Sequence, residues 1–291
     1  AAAGMSVLTA VGAAGGAAGA AAAAHCSPAR SQTGCWRPAA GAAGDAAADL
    51  LRRKGYQVIV YDRYDRVGGL LIYGIPGFKL EKEIVTRRHE LLEQGGVYFQ
   101  LECEIGRDIS FTDLQEKHDA VLIATGVYKA RDIDLVGSEL KGVVPALDYL
   151  IASNRKSLGD DVPSFNEGTL NAASKNVVVV GGGDTAMDCV RTAIRQNAKS
   201  VTCLYRRDRA NMPGSQREVQ NAEEEGVNFQ WLSAPTQFLG ESEVSSVRAQ
   251  RIHLGQPDST GRQVPNLVPG SEFDISADIV IKALGFDPEN L

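Results

Sequence analysis

The apolar residues of this chain fall into short unbroken runs that alternate with stretches of helical spacing. The clearest case is Asn176 to Arg207, NVVVVGGGDTAMDCVRTAIRQNAKSVTCLYRR. Val177 to Val180 reads as a buried strand, Gly181-Gly182-Gly183 as a turn, Asp184 to Gln196 as a helix and Ser200 to Tyr205 as a second strand. Before it, the pattern predicts a helix at Ala46–Lys54, a strand at Gln57–Asp62, an amphipathic helix at Lys79–Gln94 and a strand at Val97–Leu101. A short helix at Phe111–Glu116 follows, with Ser110 and Asp113 placed as its cap. Next come a buried strand, Asp119–Gly126, and a helix, Val144–Asn154. After it stand a helix at Ser215–Glu225 and a strand at Val227–Leu232. Val244–His253 and Ser271–Asp274 form an antiparallel pair around a loop, Gly255–Gly270. The buried strand Asp278–Gly285 repeats the pattern of Asp119–Gly126. Such alternation defines an α/β chain with parallel sheets.

The glycine triplet sits between the elements that a dinucleotide site requires. Gly181, Gly183 and Ala186 occupy the G-x-G-x-x-(G/A) positions. The first makes the turn, the second admits a pyrophosphate, and the third lets helix lie on strand. The free N–H groups and dipole at the helix start favour phosphate. About 20 residues on, where an acid would accept from a ribose 2'-hydroxyl, the chain carries Arg206 and Arg207. Two guanidiniums suit a 2'-phosphate, which points to NADPH rather than NADH. The plainer alternative is a solvated charge run closing a strand. Asp184 reads as a helix cap, and Arg217 as an arginine able to close over the nucleotide.

A second mononucleotide unit lies earlier. Its helix and strand end in Asp62, placed to hold an adenosine ribose. Its turn aligns at Ala39, Gly41 and Gly44, with Pro38 before it and no apolar strand leading in, so the front edge departs from the pattern. The loop Arg66-Val67-Gly68-Gly69-Leu70-Leu71 is glycine-rich enough for its backbone to pass close to a flat cofactor. Thr125 and Gly126 end a strand where open parallel sheets bind ligands.

Composition narrows the picture. A net charge of −6 in 291 residues offers no basic groove for nucleic acid. The five cysteines show no C-x-x-C spacing, and Cys189 and Cys203 fall on apolar faces. Residues 1–24 carry no charge but are mostly alanine and glycine, too small for a convincing membrane span. The absence of a basic start argues against a signal peptide. Free thiols and mild acidity suit a cytoplasmic enzyme.

Several long strings resemble the small, or beta, subunit of bacterial NADPH-dependent glutamate synthase, and more broadly the adrenodoxin-reductase-like flavoproteins. They are DRYDRVGGLLIYGIPGFKLEK from Asp62, HDAVLIATGVYKAR from His118, GGGDTAMDCVRTAIRQ from Gly181, YRRDRANMPGSQRE from Tyr205 and IKALGFDP from Ile281. The resemblance implies two Rossmann-like domains, an FAD domain interrupted by an NADPH domain, with hydride passing from NADPH to flavin. Electrons then travel through iron-sulfur clusters to a large subunit that makes glutamate. It assigns Gly41, Gly44 and Asp62 to the FAD turn and ribose, and Gly68, Gly69 and Leu70 to the flavin loop. Thr125 and Gly126 match the strand exit. Gly181, Gly183, Asp184 and Thr185 match the NADPH turn, and Arg206 and Arg207 the 2'-phosphate. No acid or base is implied, because stacked cofactors hold the reactivity.

On this reading residues 1–36 are low-complexity, disordered or unrelated, and 37–150 are a partial FAD domain. Residues 151–174 connect to an NADPH domain at 175–285, and 286–291 begin the return. The resemblance also implies that the iron-sulfur ligands and the closing part of the FAD domain lie outside this chain, so the match is truncated at both ends. The alternative function is an NADPH-binding module without flavin.

Overall fold

The computed structural model describes residues 6–8, 21–26, 41–257 and 263–287. They divide into two compact units, Ala1–Lys129 with Phe286–Leu291, and Ala130–Gly285. The expectations for Pro38 and Ala39, and for most of residues 1–36, lie outside the described residues.

In the first unit the strands β1 (Ser6–Leu8) and β2 (Ala21–Cys26) precede α1 (Ala42–Arg53), β3 (Tyr56–Tyr61), α2 (Leu70–Tyr73) and α3 (Lys82–Gln94). Then come β4 (Val97–Gln100), α4 (Phe111–Lys117) and β5 (Ala120–Ile123). The sheet order is β1-β5-β2-β3-β4. β3 and β4 run parallel, whereas β2 runs antiparallel to both β3 and β5. The place beside β3 that a leading strand would fill is therefore taken by the alanine-rich β2. Of residues 1–36, the described ones are the strands β1 and β2. Alternate residues of β3 face opposite ways: Val58 and Val60 pack on Ala48, Leu51 and Leu92, while Ile59 and Tyr61 meet Leu114. α4 starts at a reciprocal cap, the Asp113 N–H donating to Ser110 Oγ at 3.0 Å and the Ser110 N–H to Asp113 Oδ2 at 3.2 Å.

The chain then passes through β6 (Lys129–Ala130), β7 (Val143–Pro145), α5 (Ala146–Ser157), α6 (Pro163–Asn166), β8 (Asn176–Val180), α7 (Asp184–Arg195) and β9 (Ser200–Leu204). α8 (Gln216–Glu224), β10 (Asn228–Gln230), β11 (Ser233–Gly240), β12 (Val244–Pro257), β13 (Gln263–Ser276), β14 (Ile279–Lys282) and β15 (Phe286–Asp287) complete it. The second unit has a parallel sheet, β10-β9-β8-β14-β7, and an antiparallel meander, β11-β12-β13. Its central strand, β8, is apolar from Val177 to Val180 because both faces are covered. Val177 and Val179 pack with Tyr149, Met187 and Val190 of the helices. Val178 and Val180 pack with Phe238, Val247 and Ala249 of the meander.

Two expectations are corrected here. Residues 151–174 are not a connection, and the first unit ends well before 150. Val143 and Val144 ladder onto Val280 and Ile281, and the Tyr149 hydroxyl donates to Gln196 at 3.0 Å, which binds this stretch into the second unit. Nor are the described residues of 255–270 a loop: β12 continues to Pro257 and β13 starts at Gln263. β13 is an edge strand, where proline costs no ladder bond.

Candidate functional site

The second unit opens a cleft of about 440 Å³ at the carboxyl end of β8. It is lined by Gly181, Gly182, Gly183, Thr185, Tyr205, Arg206 and Arg207, with the strand exits after β10 and β14. Gly181 turns the chain at φ +146°, and a Cβ there would lie 2.2 Å from the Ala283 carbonyl oxygen. Gly182 is equally constrained, because its Cβ would meet the Tyr205 ring at 2.4 Å. Gly183 is different. It caps α7 in extended backbone, and no atom lies within 4 Å of where its Cβ would be. Its open face is what a pyrophosphate needs. Ala186 is wholly buried and serves the helix packing that its small size suggested.

Asp184 is not among the lining residues: its Oδ1 accepts the Ser215 N–H at 2.9 Å, tying the following loop to the turn. Arg206 is exposed and Arg207 half-buried. The Arg207 Nε donates to the Gln263 carbonyl at 3.3 Å, and among the described residues neither arginine has an ion-pair partner. Arg217 is exposed on α8 and is not among the residues that line the cleft.

The first unit has its own cleft, of about 310 Å³, lined by Gly41, Ala42, Ala43, Asp62, Gly69, Leu70, Leu71, Ala124, Thr125, Gly126 and Tyr128. Gly41 caps α1 with open space around it. Gly44 is buried within α1, and Gly68 packs so closely that a Cβ would meet Val85 at 2.5 Å. These two therefore shape the walls without lining the cleft. Gly69 starts α2 at φ 49°, ψ −121°, backbone that suits glycine alone.

Asp62 is fully buried. Its Oδ1 accepts the Tyr64 N–H at 2.9 Å, while Oδ2 has no partner among the described residues. Burial pushes its pKa up to about 7. Asp45 on α1 is likewise buried, its Oδ1 without a partner among the described residues, and burial raises it to about 7 against the opposing charge of Arg88. Sequence reading missed Asp45, which stands in an alanine run that carries no signal. It also missed Gly182 and Tyr205, because their contact joins the residues that follow two different strands.

Cys189 and Cys203 are fully buried, and burial pushes the Cys203 thiol up to about 12. No group of three or more metal-ligating side chains occurs among the described residues. No helix among them is long and apolar enough to cross a membrane.

Two glycine-lined clefts on α/β units, one beside Arg206 and Arg207, have the lining that dinucleotides require, and the chain belongs to the pyridine nucleotide-disulphide oxidoreductase family, whose model matches residues 40–291. It is 66% identical over 252 residues to the glutamate synthase [NADPH] small chain of Azospirillum brasilense, covering 87% of this chain and 52% of that one. The corresponding small chain of Escherichia coli (strain K12) is 47% identical over 254 residues, with 87% and 54% covered. The chain spans about half the length of these curated relatives. Among solved structures, Mycobacterium tuberculosis FprA in complex with NADPH matches with a TM-score of 0.65 at 17% identity, covering 77% of this chain and 63% of that one. The thioredoxin reductase of T. acidophilum matches with a TM-score of 0.60 at 20% identity, covering 86% and 76%. These likenesses bear out the Rossmann-like α/β fold.

Proposed function

We propose that this chain is an NADPH-oxidising flavoprotein of the glutamate synthase small-subunit type. It takes NADPH in the second unit and FAD in the first, and supplies electrons to a large subunit that makes glutamate, in the cytoplasm. The observation that carries the proposal is the pairing of Gly183's open face with Arg206 and Arg207 in one cleft, in a chain 66% identical to an NADPH glutamate synthase small chain.

Both clefts fit the groups they would hold. Asp62 Oδ2 is a buried acceptor without a donor among the described residues, which a ribose hydroxyl would satisfy. Gly41 and Gly183 leave backbone open where phosphate must approach. On this reading Gly183, Thr185 and the start of α7 hold the NADPH diphosphate, and Arg206 and Arg207 hold its 2'-phosphate. Gly41, Asp62, Gly69, Leu70, Thr125 and Gly126 hold the flavin nucleotide, with Gly44, Gly68, Gly181, Asp184 and Ala186 shaping the turns behind them.

When bound, nicotinamide and flavin together supply hydride transfer, so the chain itself needs no acid or base. Its residues bind and orient. Ala186 and Gly44 set the helix positions, Asp184 holds the loop after β9, and Asp62 fixes the ribose. Titration with NADPH and NADH, before and after loading with FAD, tests the proposal. Tighter NADPH binding with flavin retained is expected, and equal binding of the two nucleotides would contradict the phosphate assignment.

A further inference from the structure

The loop that carries Arg206 and Arg207 is fastened to the glycine turn at three points. Gly214 N–H donates to the Gly182 carbonyl at 3.0 Å, and Ser215 N–H to Asp184 Oδ1 at 2.9 Å. The third tie is a side chain. The Tyr205 ring lies against Gly182, and its hydroxyl donates to the Asn211 carbonyl at 3.1 Å. Tyr205 is itself held on both sides, its N–H donating to the Gln230 carbonyl and its carbonyl accepting from Ser233, each at 3.1 Å. It is 7% exposed and meets Trp231 edge to face. A rigid ring thus spans from the phosphate turn to the far side of the arginine loop. Asn211 is braced in turn by Asp208, whose Oδ1 accepts both its N–H at 2.9 Å and its Nδ2 at 2.8 Å.

We propose that Tyr205 and Asp208 are positioning residues for discrimination between phosphorylated and unphosphorylated dinucleotides. They fix the 206–211 loop, and with it the two guanidiniums, at a set place relative to the glycine turn. The ring is the part that packs, and the hydroxyl is the part that sets the loop. A guanidinium fork must meet a phosphate in a defined plane to keep its paired hydrogen bonds, so a loop free to shift forfeits selectivity before it forfeits binding. The unphosphorylated nucleotide does not use the arginines and is indifferent to the loop. The proposal rests on the reading of the second cleft as a site for the 2'-phosphorylated nucleotide.

The test is Tyr205→Phe, which keeps the ring on Gly182 and removes only the hydroxyl, with Asp208→Ala as an independent second variant. Dissociation constants for NADPH and NADH are measured on the parent and on both variants. The loss of one hydrogen bond corresponds to about a fivefold change. NADPH is expected to bind about fivefold more weakly to Tyr205→Phe and at least about fivefold more weakly to Asp208→Ala, which loses two bonds to Asn211, with NADH unchanged and the thermal midpoint of Tyr205→Phe close to the parent's. If both nucleotides weaken together, the residues serve only the fold and the proposal is overturned. Unchanged NADPH selectivity in both variants would also overturn it. A parent that binds NADPH and NADH equally would instead remove the reading on which it rests, so the two failures are distinguishable.

Discussion

Gly181 stands directly against Ala283: a Cβ on the glycine would sit 2.2 Å from the alanine's carbonyl oxygen. That oxygen belongs to the backbone just past β14, and the Ala283 N–H donates to the Val180 carbonyl at 2.8 Å, so neither side can give way. The positive φ of +146° adds strain for any L side chain. Gly181→Ala is expected to cost about 3 kcal/mol or more. Denaturant unfolding checks it, with Gly183→Ala as the contrast: its Cβ meets open space, so it should fold normally and lose nucleotide binding.

Replacing Arg206 and Arg207 together with alanine should weaken NADPH and leave NADH nearly unaffected. Each charged hydrogen bond lost is worth roughly 1.5 to 3 kcal/mol. Calorimetric titration of both nucleotides reads the difference, and an unchanged NADPH affinity would remove the arginines from the site.

Asp45 and Asp62 make the empty protein sensitive to pH. Both carboxyls are raised by burial from 3.8 to about 7. The sign follows from linkage: their contribution is intact below about pH 4 and is lost as pH rises through about 7, because the folded state resists ionisation. A rise of about three units corresponds to at most about 4 kcal/mol for one group. Glu225 acts oppositely. Hydrogen bonds from Arg195 and Arg191 lower it to about 2 against the effect of burial, so its contribution is lost as pH falls from about 4.5 through 2. Stability of the flavin-free protein should therefore decline between about pH 4 and 7, and Asp62→Asn should flatten that decline. Melting curves across this range decide it. Flavin binding, by donating a ribose hydroxyl to Asp62 Oδ2, should favour the carboxylate and release protons.

Arg191 joins α7 to α8 through Glu218 at 2.7 Å and Glu225 at 2.7 Å, with only a tenth of its side chain exposed. Arg191→Leu removes both ion pairs, while Glu225 keeps Arg195 at 2.6 Å, and should cost roughly 1.5 to 3 kcal/mol. Chemical denaturation measures this, and NADPH selectivity should survive in the folded fraction.

The sequence shows most of the second unit's site and less of its surroundings. The valine run, the glycines and the helix after them satisfy strand and helix periods without ambiguity, and the Ser110–Asp113 cap is a local signal that a short range of sequence contains. The division between units was misplaced because β7 is only Val143–Pro145, too short to show a period, and is recognisable as a strand only through its ladder to β14. Residues 255–270 read as a loop because their prolines and glycines are turn formers, yet an edge strand tolerates them. Gly182 looked like a spacer in the pattern, and the need for it arises from Tyr205, 23 residues away just past the neighbouring strand. Asp45 gives no sign of burial, since helical position alone does not reveal that α3 and Arg88 cover it.

The most direct test of the account is the absorbance spectrum of the purified, FAD-loaded protein under anaerobic conditions, before and after one equivalent of NADPH. Flavin bands that bleach with NADPH and far less with the same amount of NADH are the predicted result. A protein that binds no flavin, or whose flavin bands persist after NADPH, would contradict it.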